Sequence, residues 1–259
     1  MALMDMQTTR APRILITRPL GQHTDFARQC ADLGFQVQLM PCMQIVPRNP
    51  DSNYLRSLLA EYSNVLFTST NAVNSIDPYE PFPWQRINVY AIGEATARAL
   101  DAYGQGIALT PASPFNSEAY LAQMSHREPD NLLIIKGAGG RNLIQTHLNK
   151  LGWRTATLDV YERTLPTVEP EVLDDIFNHS IPDIVSVTSN EILQNLWILC
   201  ASHHDTLKTR QLVCNSKRCA DVAGQLGFSV GPLIAVPAGD KGQLACLREW
   251  KRAYHAQWS

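Results

Sequence analysis

No apolar run in this chain is long enough to cross a bilayer. The longest, such as Leu132–Ile135 and Leu196–Ala201, stop far short of the roughly 20 residues a spanning helix needs. The opening stretch, MALMDMQTTRAPR, holds no apolar core of signal-peptide length. A soluble, cytoplasmic protein with no membrane role is therefore expected. Excess charge is also missing. Lys and Arg number 22 against 24 Asp and Glu, a net −2, so no global field draws the chain to nucleic acid. Six cysteines lie scattered at positions 30, 42, 200, 214, 219 and 246. None form a C-x-x-C pair and no Cys/His spacing suits zinc, so a reducing compartment is expected and a metal is not. His203 and His204 lack ligand spacing and read as solvated. The glycine run at 137, 139 and 140 reads G-A-G-G-R-N, which departs from G-x-G-x-x-G, and no G-x-x-x-x-G-K-[ST] loop is present. No cofactor is expected.

What the chain does have is a repeat. ILITRPLGQHTDFARQCADLGFQVQLMP, from Ile14, is echoed without a gap by LLIIKGAGGRNLIQTHLNKLGWRTATLD, from Leu132. Leu33 falls on Leu151, an offset of 118 residues (151 − 33). Further pairs keep the order: NVLFTSTN from Asn64 with DIVSVTSN from Asp183, and VYAIGEATARALDAYG from Val89 with LVCNSKRCADVAGQLG from Leu212. The chain therefore reads as two related α/β units, and a site placed between such units would grip a large ligand from both sides.

Short apolar runs alternate with helical patterns in both halves. The first half offers strands at Ile14–Thr17, Gln36–Leu39, Val65–Phe67, Val89–Ala91 and Ile107–Leu109. The second offers Leu132–Ile135, Thr155–Leu158, Ile184–Val187, Leu212–Cys214 and Leu233–Ala235. Continuous apolar runs of this length suit strands buried on both faces. Phe26, Cys30 and Leu33 line one face of the first helix, which stops at Gly34. Repeated βα units imply right-handed crossovers and two flavodoxin-like, doubly wound parallel sheets. The boundary has two readings. One is a simple cut near Glu128-Pro129-Asp130. In the other, Cys42–Pro47 and Val160–Pro166, which hold equivalent repeat positions, pair as a two-stranded connector.

Ligands of open parallel sheets bind beyond the carboxyl ends of the strands. Those loops carry Thr17-Arg18-Pro19, Lys136 to Arg141, Thr68-Ser69-Thr70-Asn71, Thr188-Ser189-Asn190, Gly93-Glu94-Ala95-Thr96 and Ser216-Lys217-Arg218-Cys219. Helix N-termini, hydroxyls and cations together capture anions. A charge-assisted hydrogen bond contributes about 1.5–3 kcal/mol, so several converging loops suit a polycarboxylate. The plain alternative is that each Ser or Thr is an ordinary helix cap. Tyr161, in the second connector, reads either as a packed residue or as a phenol facing a cleft.

The repeat, the first-strand TRP, FTSTNAV at Phe67–Val73, AIGEAT at Ala91–Thr96, DVYERT at Asp159–Thr164 and VTSN at Val187–Asn190 resemble the uroporphyrinogen-III synthase family, over essentially the whole chain from Ile14 to about Trp250. The resemblance implies two domains with strands exchanged between the halves. Residues 1–40 with 165–259 would form one, 45–160 the other, and segments 41–47 and 160–166 would connect them. It implies a cofactor-free lyase of tetrapyrrole (heme) biosynthesis, monomeric and cytoplasmic. That enzyme would cyclise hydroxymethylbilane, which bears eight carboxylates, with inversion of the last pyrrole ring. Transient contact with hydroxymethylbilane synthase would accompany it.

By the resemblance Tyr161 is the catalytic residue. Ser69, Thr96 and Ser189 match hydroxyl positions that bind substrate, and Arg18, Lys136 and Arg141 are carboxylate partners. The second G-x-x-T loop departs from the pattern: Ser216 and Cys219 replace Gly and Thr, and Lys217 supplies charge instead. The alternative reading is a non-catalytic, two-lobed tetrapyrrole-binding sensor of the same fold, against which an intact Tyr161 weighs.

Overall fold

A computed structural model describes residues 10–76, 82–102, 107–110, 117–140 and 142–256. In chain order the elements begin β1 (Arg13–Ile16), α1 (Thr24–Asp32), β2 (Gln36–Leu39), β3 (Gln44–Pro47), α2 (Ser52–Glu61), β4 (Asn64–Phe67), α3 (Thr70–Asn74), β5 (Asn88–Ala91), α4 (Glu94–Asp101), β6 (Ile107–Leu109) and α5 (Ser117–Met124). They continue with β7 (Asn131–Gly137), α6 (Leu143–Lys150), β8 (Arg154–Thr164), α7 (Pro170–Asp174), β9 (Ile184–Ser186), α8 (Asn190–Leu199), α9 (His204–Leu207), β10 (Gln211–Cys214), α10 (Lys217–Gln225), β11 (Leu233–Ile234) and α11 (Asp240–Ala256).

The chain divides into two compact units, Met1–Gln44 with Thr164–Ser259, and Ile45–Arg163. The first unit holds a sheet in the order β11-β10-β9-β1-β2, with every pair parallel. Its winding reverses between β1 and β9, as in a flavodoxin-like sheet. Ile14 and Ile16 of β1 pack with Phe26 and Cys30 of α1 and with Leu244 and Leu247 of α11. Gly34, at φ +80°, ends α1 in the left-handed conformation glycine adopts without penalty.

The second unit holds the order β3-β8-β7-β4-β5-β6, parallel from β8 to β6. Its strands are buried on both sides by alternation. Val65 and Phe67 of β4 face α2, α3 and α4 through Leu55, Leu58, Val73 and Leu100. Leu66, between them, faces α5 and α6 through Tyr120, Met124, Ile144 and Leu148. Helices on both faces explain why these strands read as unbroken apolar runs. Arg13 pairs with Gln36 in β1–β2, and Asn131 with Arg154 in β7–β8. Both members of the second pair lie 118 residues beyond those of the first (131 − 13, 154 − 36).

Two local expectations change. The expected strand Thr155–Leu158 and the extended segment after it form one strand of 11 residues, β8, since no glycine or proline interrupts Arg154–Thr164. His203 and His204 are half-buried and held by partners. His203 packs on Phe177 with ring centres 5.4 Å apart and bonds through Nε2 to Asp174 Oδ1 at 3.1 Å, while His204 stacks on Trp197 at 3.5 Å. All six cysteines are free thiols. Among the described residues no helix is long and apolar enough to cross a membrane.

Candidate active site

The carboxyl ends of β4, β7 and β8 in the second unit enclose a cleft of about 290 Å³. Its walls include Thr68, Ser69, Lys136, Gly137, Asn142, Thr157, Tyr161 and Arg163, with Gly139 and Gly140 at the rim. This volume sits near the lower end of small-molecule sites, roughly 300–1,000 Å³.

Tyr161 reaches the cleft through an irregularity between β7 and β8. The register runs regularly to Lys136↔Asp159 and then jumps to Gly137↔Tyr161, so Val160 is an extra residue. A bulge of this kind re-aims the side chains that follow it. Leu158, Val160 and Tyr161 consequently all join the same core cluster, although strict alternation would put Tyr161 on the other face. The ladder resumes with Ala138 N donating to Tyr161 O at 2.7 Å. The ring is 3% exposed, and its hydroxyl lies 3.1 Å from Ser69 Oγ. Tyr161 thus packs in the core of the second unit and also lines its cleft.

Ser69 is also the N-cap of α3, accepting a hydrogen bond from Ala72 N at 3.1 Å. Lys136 Nζ donates to Gly139 O at 2.9 Å and lies 3.4 Å from Asp159 Oδ1. That carboxylate oxygen is buried and accepts no hydrogen bond, so the Lys136 contact is an ion pair without hydrogen-bond geometry. The two consecutive glycines, Gly139 (φ +72°) and Gly140 (φ +78°), turn the chain sharply before α6. Hydroxyls, an ammonium and a guanidinium thus meet in one cleft, a donor set that takes carboxylates.

The other expected site residues are placed differently. Arg141 lies outside the described residues. Thr96 is buried on the first turn of α4, 4% exposed, and does not line this cleft. In the first unit Ser189 caps α8, accepting from Ile192 N at 3.2 Å. Lys217 is exposed and pairs with Asp221 one turn along α10. Arg18 is buried, donating to Asp240 Oδ1 at 2.7 Å, with its guanidinium 3.8 Å above the Phe26 ring centre. The hydroxyl missing at Cys219 has a counterpart at Ser216, which caps α10 by accepting from Cys219 N at 3.2 Å. Arg163, Asn142 and Thr157 were missed as cleft residues. For Arg163 the signal was its spacing of two from Tyr161 along one strand. Among the described residues no three His, Cys, Asp or Glu side chains gather to hold a metal ion.

Fold and cleft define a class: a doubly wound parallel α/β protein with a cationic, hydroxyl-rich site at its strand ends, suited to an anionic small molecule. The family is narrower. The sequence profile of Uroporphyrinogen-III synthase HemD matches residues 24–232, and the chain belongs to that family.

A uroporphyrinogen-III synthase of Escherichia coli (strain K12) is 28% identical over 228 residues, covering 83% of this chain and 92% of the relative. One from Chlorobaculum parvum is 24% identical over 194 residues, covering 71% and 77%. The crystal structure of the uroporphyrinogen-III synthetase from Helicobacter pylori 26695 superposes with a TM-score of 0.63 at 14% identity, over 92% of this chain and 99% of that one. That likeness is one of fold.

Proposed function

We propose that this chain is a uroporphyrinogen-III synthase, a carbon–oxygen lyase that closes hydroxymethylbilane into a macrocycle with its terminal pyrrole inverted. Family membership supports the activity. The observation that carries the chemistry is the Tyr161 hydroxyl at the wall of a cleft shared with Lys136 and Arg163.

The pyrrole nitrogen lone pair expels the terminal hydroxyl, giving an azafulvenium cation. The Tyr161 phenol donates its proton to that hydroxyl, which leaves as water. The substituted α-carbon of the last ring attacks the cation. The resulting spiro intermediate breaks and recloses with that ring turned over, and the proton released as the ring regains aromaticity restores the phenol. Closure without inversion is the easier geometry, so the protein's task is chiefly to hold a bendable chain in the harder one. Lys136 and Arg163 in the second unit, with Arg18, Ser189 and Lys217 in the first, are the carboxylate partners we propose; Thr96 and Arg141 belong to the same set.

The matched registers Arg13↔Gln36 and Asn131↔Arg154 support an internal duplication with exchanged strands. On this reading residues 41–47 and 160–166 are the connectors. We further propose a cytoplasmic monomer without cofactor, taking the bilane from hydroxymethylbilane synthase by transient contact. The test supplies freshly made hydroxymethylbilane and separates the type III from the type I ring isomer. Type III product supports the reading; only the symmetric type I macrocycle, which forms spontaneously, sinks it.

A further inference from the structure

The Tyr161 ring lies against β7 where only glycine leaves it room. A Cβ built on Gly137 would stand 2.5 Å from Tyr161 Cζ, 2.7 Å from Cε2 and 2.9 Å from the phenol oxygen. Real Cβ atoms essentially never come within 3.0 Å of another heavy atom. The three nearest atoms all belong to Tyr161, and Gly137 is not among the glycines with positive φ. The demand for glycine is thus one of space, set by one side chain. Glycine inside a strand often marks such a close approach.

A second contact fixes the other end of the phenol. Ser69 Oγ lies 3.1 Å from the Tyr161 oxygen and accepts the Ala72 N–H at 3.1 Å. The cap settles where Oγ sits and occupies one of its lone pairs, leaving the serine proton to be donated. A Ser69 hydroxyl that donates to the phenol oxygen leaves the phenol's own proton for the cleft.

We propose that Gly137 and Ser69 are positioning residues for Tyr161, the glycine giving the ring its place and the serine orienting its hydroxyl. This rests on the reading of Tyr161 as proton donor. It departs from the expectation that Ser69 binds a substrate carboxylate directly.

The test has a kinetic arm and a thermal arm on the full chain. Hydroxymethylbilane turnover and the isomer ratio are measured for wild type, G137A, S69A, S69T, Y161F and S69A/Y161F. A displacement of about 1 Å costs about a hundredfold, so G137A is expected to lose about that much in kcat, with KM within about twofold. S69A lowers kcat, S69T restores most of it, and S69A costs nothing more once Tyr161 is Phe. Additive losses in S69A/Y161F, or a raised KM for S69A with kcat intact, overturn the serine's role. In thermal unfolding, G137A is expected to melt below wild type and G137A/Y161A to return to the Y161A midpoint. A G137A that melts with wild type overturns the steric role. If G137A fails to fold, recovery of folded G137A/Y161A supports that role, and failure of the double variant overturns it. If wild type makes no type III isomer, the proton-donor reading falls and the catalytic sense of this inference with it. The thermal arm still judges the ring contact alone, so the two failures are told apart.

Discussion

Arg18 meets Asp240 across 222 residues of sequence, Nη1 donating to Oδ1 at 2.7 Å. The arginine side chain is 8% exposed and the aspartate 49%. Nη2 reaches Gln243 Oε1 at 3.4 Å, while Nε is buried without a partner. Removing the aspartate strands a buried guanidinium, whereas removing both partners does not. Asp240→Ala is expected to lose about 1.5–3 kcal/mol, the worth of a charged hydrogen bond. Arg18→Met with Asp240→Ala should lose less than Asp240→Ala alone. Urea unfolding of wild type and the two variants decides, and a larger loss in the double variant counts against the pair.

Lys136 lines the cleft of the second unit as a cation, with Nζ near Asp159 and its side chain 15% exposed. Lys136→Met should raise KM about tenfold to a hundredfold, the equivalent of one charge-assisted hydrogen bond, with kcat little changed. Unaltered KM in a folded variant removes it from the site.

Tyr161→Phe keeps the ring in the core and takes away only the hydroxyl. Turnover should slow about tenfold to a hundredfold, the low side of general-acid effects, because the nitrogen lone pair already drives the departure. A folded variant with wild-type kcat means that the phenol does not act as acid.

Asn64 tests stability apart from function. It is 2% exposed at the amino end of β4, away from the cleft at the carboxyl end. Its Nδ2 donates to Asp130 Oδ2 at 2.9 Å and Asn131 O at 2.8 Å, and its Oδ1 accepts from Asn88 Nδ2 at 3.0 Å and Tyr90 OH at 3.1 Å. Asn64→Ala removes these bonds, of which the one to the buried Tyr90 hydroxyl is the costliest to lose, and should cost about 1–3 kcal/mol. Turnover per folded molecule should not move. A fall in kcat at full folding contradicts this.

Cys214 and Cys219 predict a pH dependence. A hydrogen bond from the Cys219 thiol, working against burial, pulls Cys214 from 9.0 to about 7. The same bond, with burial, pushes Cys219 up. A lowered pKa favours the folded state fully above the unfolded value, and the benefit is lost as pH falls through the folded one. Stability from Cys214 should therefore grow between about pH 7 and pH 9. Above that the raised Cys219 opposes it, because the unfolded chain releases that proton first. Urea midpoints of wild type and Cys214→Ser should diverge across this window; parallel curves rule the coupling out.

The strands were legible because burial on both faces leaves no polar alternation, so runs such as Leu132–Ile135 announce themselves. Caps were legible too, since Ser69, Ser189 and Ser216 stand one residue before a helix and each accepts an N–H from its first turn. The direction of Tyr161 was not legible. It depends on the one-residue shift between β7 and β8, and side-chain period alone gives the opposite face. Nor was the pairing of Arg18, since nothing near it in sequence names Asp240. His203 and His204 looked solvated because the ring partners of His203 lie on another element, Phe177 and Asp174.

The amino-acid order by itself determined the repeated βα pattern, the carboxyl-end loops and the stock of hydroxyls and cations in them, because these follow from local periodicity and residue type. Only the tertiary structure decided which of those groups share one cleft. That depends on strand register and on contacts over long separations, such as the ring of Tyr161 over Gly137, whose energies no local stretch of chain contains.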